Sequence, residues 1–150
     1  MKVNIGKFPT HRWYHNYLYN WFGYVPQQKI QVRIDPWDTW SMDCTLAEII
    51  LPSLLQLAKT GHGSAKVDNE DVPERLHGED EDKFHERWDY VMAEMIYAFQ
   101  HKVGDWDDEG DRMFCSPRER MIFERDQIEN YERIKNGFRL FGKYYEDLWD

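Results

Sequence analysis

The sequence is short of everything that staples a fold or anchors it in a membrane. Its two cysteines, Cys44 and Cys115, make no disulfide framework in 150 residues, and they read as reduced thiols of a cytosolic protein. No apolar run approaches the roughly 18 residues of a membrane-spanning helix, which excludes a transmembrane protein. Met1-Lys2-Val3-Asn4-Ile5-Gly6 lacks the apolar stretch of a signal peptide. Catalytic signatures are missing as well. There is no Gly-x-x-x-x-Gly-Lys-Ser/Thr phosphate loop, no Gly-x-Ser-x-Gly elbow, no Cys-x-x-Cys pair and no His-Glu-x-x-His zinc motif. The first 34 residues hold no acidic side chain.

What the chain does have is aromatic rings: 7 Trp, 9 Tyr and 8 Phe. That is too many for a disordered chain, even with 31 % charged residues. The length is one domain's worth and suffices for a core without metal or disulfide. Charge is uneven. Residues 1–34 carry five basic residues, residues 35–111 six basic and twenty acidic, and residues 112–150 eight of each. The net charge of −9 argues against non-specific nucleic-acid binding, which needs a basic surface. The basic N-terminal part suits a small anion, or docking on the acidic middle of its own chain or of a partner subunit.

Hydrophobic spacing predicts an α+β fold, mainly helical: a single domain of four to five helices with a small N-terminal sheet of two or three strands. Residues 1–35 read as strand, helix, strand. Val3 and Ile5 alternate in the first strand, and Ile30, Val32 and Ile34 in the second, opposite Lys29, Gln31 and Arg33. Between them Thr10 is placed to cap a helix to about Phe22, striped by Trp13, Tyr14, Tyr17, Leu18, Trp21 and Phe22. Residues 43–149 form the helical part. Asp43 reads as the N-cap of a helix with Leu46, Ile49, Ile50, Leu54 and Leu57 inward, kinked at Pro52 and stopped by Gly61. Acidic, turn-rich loops follow near 61–82 and 104–116.

Trp88, Val91, Met92, Met95, Ile96 and Phe99 define the clearest helix, which ends near Gly104. Ser116-Pro117-Arg118-Glu119 is a capping box for a helix to about Lys135, packed through Met121, Ile122, Ile128 and Tyr131. The tail from Phe138 to Trp149 is apolar on several sides, as in a central core helix or a contact with another chain. The expected core is Val3, Ile5, Val32, Ile34, Leu46, Ile50, Leu57, Trp88, Met92, Met95, Phe99 and Phe141. The wealth of rings predicts a homo-oligomer.

Several residues carry candidate chemistry. Asp35-Pro36-Trp37-Asp38-Thr39-Trp40-Ser41-Met42-Asp43 joins a strand to a helix, where free N–H groups receive anions and tryptophans stack on flat rings. Arg139 and Lys143, four residues apart, share a helical face and could grip a phosphate. The expected ligand site is therefore Trp37, Trp40, Asp43, Arg139 and Lys143, with Arg12 as a further anion contact. The competing expectation pairs Arg139 and Lys143 with Glu146, Asp147 or the acidic middle. His11 and His15 read as a solvent-facing pair. Asp105-Trp106-Asp107-Asp108-Glu109-Gly110 resembles the start of a calcium loop, but its twelfth position is Ser116, so a solvated loop is favoured. A metal-dependent nucleotide hydrolase would need Asp38, Asp43, Glu48 and Glu94 around Mg2+, with one isolated acid on each helix. Cys44 reads as structural.

Three segments resemble a family of small accessory proteins of tailed bacteriophages, one that brings no activity with it. They are DPWDTWSMDCTLAEIILPSLLQL from Asp35 with the following EDVPE, then RWDYVMAEMIYAF from Arg87, then NGFRLFGKYYEDLWD from Asn136. Together they span roughly half the chain. At Cys44 the family pattern more often has histidine, which weakens a metal role there. The resemblance implies a phage protein acting on the host, in the host cytoplasm. Three functions fit: binding and sequestering a small anionic, nucleotide-like ligand; the Mg2+-dependent hydrolase just described; or an acidic inhibitor of a host enzyme or defence protein. The first is preferred, with no cofactor, no nucleic-acid partner and no membrane partner expected.

Overall fold

In the computed structural model the elements run β1 (Lys2–Ile5), α1 (His15–Phe22), β2 (Ile30–Arg33), α2 (Met42–Thr60), α3 (Glu81–Gly104) and α4 (Pro117–Lys143). The structure describes residues 1–7, 9–10, 12–61, 63–78, 81–104 and 117–149, and of residues 81–82, 104, 117–120 and 122–124 the backbone alone. The fold is α+β and mainly helical, with a two-stranded antiparallel sheet at the N-terminus. Contacts divide the chain into two units, Met1–Thr45 and Leu46–Asp150. No helix among the described residues is long and apolar enough to cross a membrane.

In the first unit β1 pairs with β2, Val3 opposite Val32 and Ile5 opposite Ile30. Helix α1 starts later than its sequence predicts. The backbone N–H of Arg12 donates to Nδ1 of His15 (3.0 Å), and the His15 N–H donates to the Arg12 carbonyl (2.9 Å). This reciprocal turn sets the first helical residue at His15 and leaves Thr10 outside the helix. Gly23, in the left-handed region at φ 63°, closes it. The expected core positions Ile5, Val32 and Ile34 are exposed and Val3 is half-buried. A two-stranded ribbon has one apolar face and no second layer to cover it within this unit. Among the described residues of the unit only His15 is buried.

The second unit owns the hydrophobic core. Helix α3 has no glycine or proline before Gly104, and its stripe is buried as the spacing predicts: Trp88, Val91, Met92, Met95 and Phe99. Burial of each such side chain stabilises the fold by about 1.5–3 kcal/mol. Helix α2 is rotated from expectation. Its inward residues are Ala47, Ile50, Leu51, Leu54 and Leu57, whereas Leu46 is exposed. Its first turn begins at Met42, so Asp43 is an acid of that turn and not its cap.

Helix α4 runs unbroken from Pro117 into the apolar tail, which the sequence pattern treats as separate. Met121, Ile128 and Tyr131 are exposed and do not pack it. Its buried end is Leu140, followed by Tyr144, with Phe138 and Phe141 edge-on to Phe99 (5.1 and 4.9 Å between ring centres). Segment 61–78 also departs from expectation. Val67, Val72 and Leu76 are buried in the same core, and short 3-10 turns lie at Asn69–Asp71 and Glu74–Leu76. A polar loop would have left them in water.

Gly137 explains how α3 and α4 come together. A Cβ there would lie 2.5 Å from the Glu94 carbonyl oxygen and 2.6 Å from the Ala98 Cβ. At Gly142 a Cβ would meet nothing within 4 Å. Gly137→Ala therefore costs about 1–3 kcal/mol through forced backbone separation, despite its better helix propensity. Gly142→Ala is neutral or stabilises by up to about 1 kcal/mol. Urea unfolding of both variants checks this; equal effects at the two glycines would contradict it.

Candidate functional site

One buried carboxylate anchors the region in which the site lies. The Asp71 side chain is 0 % exposed. Its Oδ1 accepts from Nη2 of Arg139 (2.5 Å), and its Oδ2 accepts from Nζ of Lys143 (2.6 Å) and from the Tyr144 hydroxyl (2.7 Å). Burial alone would raise the Asp71 pKa. The hydrogen bonds from Lys143, Tyr144 and Arg139 outweigh it and hold the carboxyl below its ordinary range. Lys143 also reaches Asp68 Oδ2 (2.7 Å) and Glu70 Oε1 (3.2 Å). Bonds to Asp68 and Asp71 lead in raising the ammonium's pKa. Oxygens of these three acids lie within 4.8 Å of one another, a spacing that suits a metal ion. The Lys143 ammonium sits among them and supplies the positive charge itself.

Arg139 and Lys143 thus follow the competing expectation. They pair with the acidic middle of the chain, and the hydrogen bonds proposed for a phosphate go to Asp71. The gain is structural: segment 67–71 is fastened to the end of α4, where the Asp68 N–H also donates to the Tyr144 hydroxyl (3.1 Å). The loop from Val67 to Gly78 is also fastened to α3. Arg87 donates from Nη1 to the Gly78 carbonyl (2.7 Å) and from Nη2 to the Val67 carbonyl, and Lys83 donates to the His77 carbonyl (2.9 Å).

A cleft of about 480 Å³ lies beside α2 and α3. Leu57, Met92 and Ile96 give it apolar wall. Trp88 is buried and braced edge-on by Tyr144 (5.9 Å between ring centres), while Trp149 is 69 % exposed. Three polar side chains line the same cleft: Ser64, His85 and Asp89. Ser64 Oγ and His85 Nδ1 are 2.7 Å apart and share a hydrogen bond. None of these three was singled out from the sequence. His85 and Asp89 lie one turn apart on α3, a signal that the periodicity of the helix contains. Ser64 comes near only because the loop folds back. A smaller pocket of about 380 Å³ is lined by Lys66, Val67, Asp68, Asn69, Gly78, Phe84 and Arg87.

The remaining candidates are dispersed. Trp37, on a 3-10 turn over Pro36–Thr39, and Trp40, which follows that turn, are 80 % and 84 % exposed with ring centres 6.3 Å apart. They are surface rings and not core. Asp38 accepts from the Met1 ammonium (2.8 Å) and from the Asp35 N–H (2.8 Å), in that order the causes that lower its pKa. Asp43, Arg12 and Glu48 are exposed. Glu94 is buried and bound fork-to-fork by Arg133, whose Nε and Nη2 donate to it at 2.7–3.1 Å. Its carboxylate is committed to that arginine, and Arg133 in turn stacks on Tyr97 (3.7 Å). The magnesium alternative loses its central acid. His15 is buried with Nδ1 bonded, which corrects its placement in a solvent-facing pair. Cys44 is half-buried. His11, the 105–110 segment, Cys115 and Ser116 lie outside the described residues.

No protein-family model, curated protein or solved structure matches the chain.

The Asp71 cluster makes a pH-dependent contribution of known sign. Its folded pKa lies below the unfolded value of about 3.9. The stabilisation is complete above that value and fades as pH falls through the folded one. Asp71→Asn is expected to cost about 2–4 kcal/mol at neutral pH, because two half-exposed cations lose their buried partner. It should also flatten the acid limb of stability against pH. Urea titrations across that range check both; an unchanged acid limb would contradict the assignment.

Proposed function

We propose that the chain is a bacteriophage accessory protein that acts in the host cytoplasm by binding, and that it sequesters a small nucleotide-like ligand. The flat ring of the ligand enters the α2–α3 cleft. The cleft carries this reading: an exposed tryptophan, a braced buried one and apolar wall around a short polar row. Apolar concavities with a few convergent polar groups are where small ligands bind. Trp149 offers a face for stacking. Asp89 accepts from an exocyclic amine or ring N–H, and Ser64 and His85 each donate or accept, the chemistry with which side chains read a base edge. The phage context rests on the resemblance of the Asp35, Arg87 and Asn136 segments to phage accessory proteins. The commitment of Glu94 to Arg133 favours binding over the hydrolase alternative.

Intrinsic tryptophan emission tests this with a panel of nucleosides and nucleotides. A nucleoside should quench emission, with an affinity that changes little with salt. Trp149→Ala should weaken binding by about five- to a hundredfold, since a stacked base is worth roughly 1–3 kcal/mol. Binding that is indifferent to Trp149→Ala, or absent across the panel, would overturn the reading.

A second observation favours a homo-oligomer. In the first unit Trp13, Tyr17, Trp21 and Phe22 of the α1 region and the Trp37–Trp40 pair are all exposed. So many exposed rings in one unit favour an interaction face. Residues 1–34 carry five basic and no acidic residues, so the α1 rings sit in a stretch complementary in charge to the strongly acidic residues 35–111 of a second copy. Light scattering should give a dimer or larger species; an 18.3 kDa monomer throughout a dilution series would contradict it.

A further inference from the structure

We infer that the smaller pocket, lined by Lys66, Asn69, Phe84 and Arg87, is a binding site for a phosphate-type oxyanion. The argument begins with a charge anomaly. The chain has nine more acids than bases, and five cations of its helical unit are seen paired with them. Arg133 sits on Glu94, Arg139 on Asp71, Lys143 on three acids, Arg125 on Asp126 and Glu129, and Lys135 on Glu132. Lys66 and Arg87 line one pocket, and neither has a carboxylate partner among the described residues.

Arg87 is unusual in a second way. Its two Nη groups are spent on the Gly78 and Val67 carbonyls, and its Nε–H is buried with no hydrogen-bond partner among the described residues. A buried donor left unpaired costs free energy, and native proteins rarely tolerate one. An oxyanion that enters this pocket and draws the Arg87 guanidinium toward it would supply the missing acceptor. A charge-assisted bond to a guanidinium is stronger than a neutral one, and Lys66 adds a second positive charge on a flexible stem. Asp68, the acid that lines the pocket, does not oppose this strongly. Its carboxylate is held by Lys143 at 2.7 Å. Asn69 adds an amide that donates to an oxyanion.

The site extends the proposed function by giving the anionic part of a ligand a place. It rests on its own residues and stands or falls apart from the α2–α3 cleft. The probe is inorganic phosphate added to the full chain, with sodium chloride at matched ionic strength as control. The Arg87 Nε–H resonance, followed by nitrogen-edited NMR, should shift saturably with phosphate and not with chloride. Lys66→Ala, an exposed change that leaves the Arg87 ties intact, should weaken the phosphate response by about tenfold. A nucleoside run in parallel reports on the larger cleft alone. An Nε–H resonance unmoved by phosphate, as for a donor satisfied by water, would overturn the site. So would a shift that Lys66→Ala leaves unchanged or that chloride reproduces. Loss of nucleoside binding with the phosphate response intact would overturn the cleft and leave this site standing.

Discussion

The Asp71 carboxylate, buried and shared by Arg139, Lys143 and Tyr144, is the interaction on which the helical unit depends. A charge removed from water is stable only when its bonds are satisfied, and here two cations and a phenol satisfy it. One end of the cluster belongs to a loop and the other to α4, with 68 to 73 residues of chain between the partners. Val67, Val72 and Leu76 of the same loop belong to the core that α3 and α4 share. The loop also stands beside α3, so that Ser64 meets His85 on one side and Val67 meets Arg87 on the other. The two cavities described above are walled in part by this loop. The anchor at Asp71 adds to the bonds that Arg87, Lys83 and His85 of α3 make to the same loop.

The sequence made α3 readable because a stripe of large apolar residues at helical spacing has one interpretation. Trp88, Met92, Met95 and Phe99 are buried as the spacing requires. The sheet was readable in its pairing but not in its burial. Alternation identifies a strand's apolar side, and only a second layer can bury it. Within the 63–78 loop the burial of Val67, Val72 and Leu76 departs from the sequence pattern for the opposite reason. The turn-forming and acidic residues of that loop outnumber these three, which have no period. Their burial depends on a charge cluster that joins residues distant in sequence, which local pattern does not encode.

The candidate site divides along the same line. Arg139 and Lys143 were identified as a cationic pair on one helical face, and they are one. Their partner is internal, because Asp71 is presented to them by the loop. In an acidic chain a cation is more readily matched by its own carboxylates than by a ligand. That makes Lys66 and Arg87, which line one pocket and have no carboxylate partner among the described residues, more informative than those at the end of α4. Gly137 belongs to the same picture. Its missing side chain lets α4 approach the Glu94 carbonyl closely, and the Glu94 carboxylate is then met by Arg133 one turn earlier on α4.

The central claim is that the Asp71 cluster holds the loop that builds both cavities. Hydrogen exchange of Asp71→Asn against the parent at neutral pH, read by mass spectrometry, tests it most directly. If the cluster is the anchor, amides from Ser64 to Leu76 lose protection in the variant while those of Val91 to Phe99 in α3 keep theirs. Equal protection of the loop in both proteins, or uniform loss across α3 as well, would contradict the account.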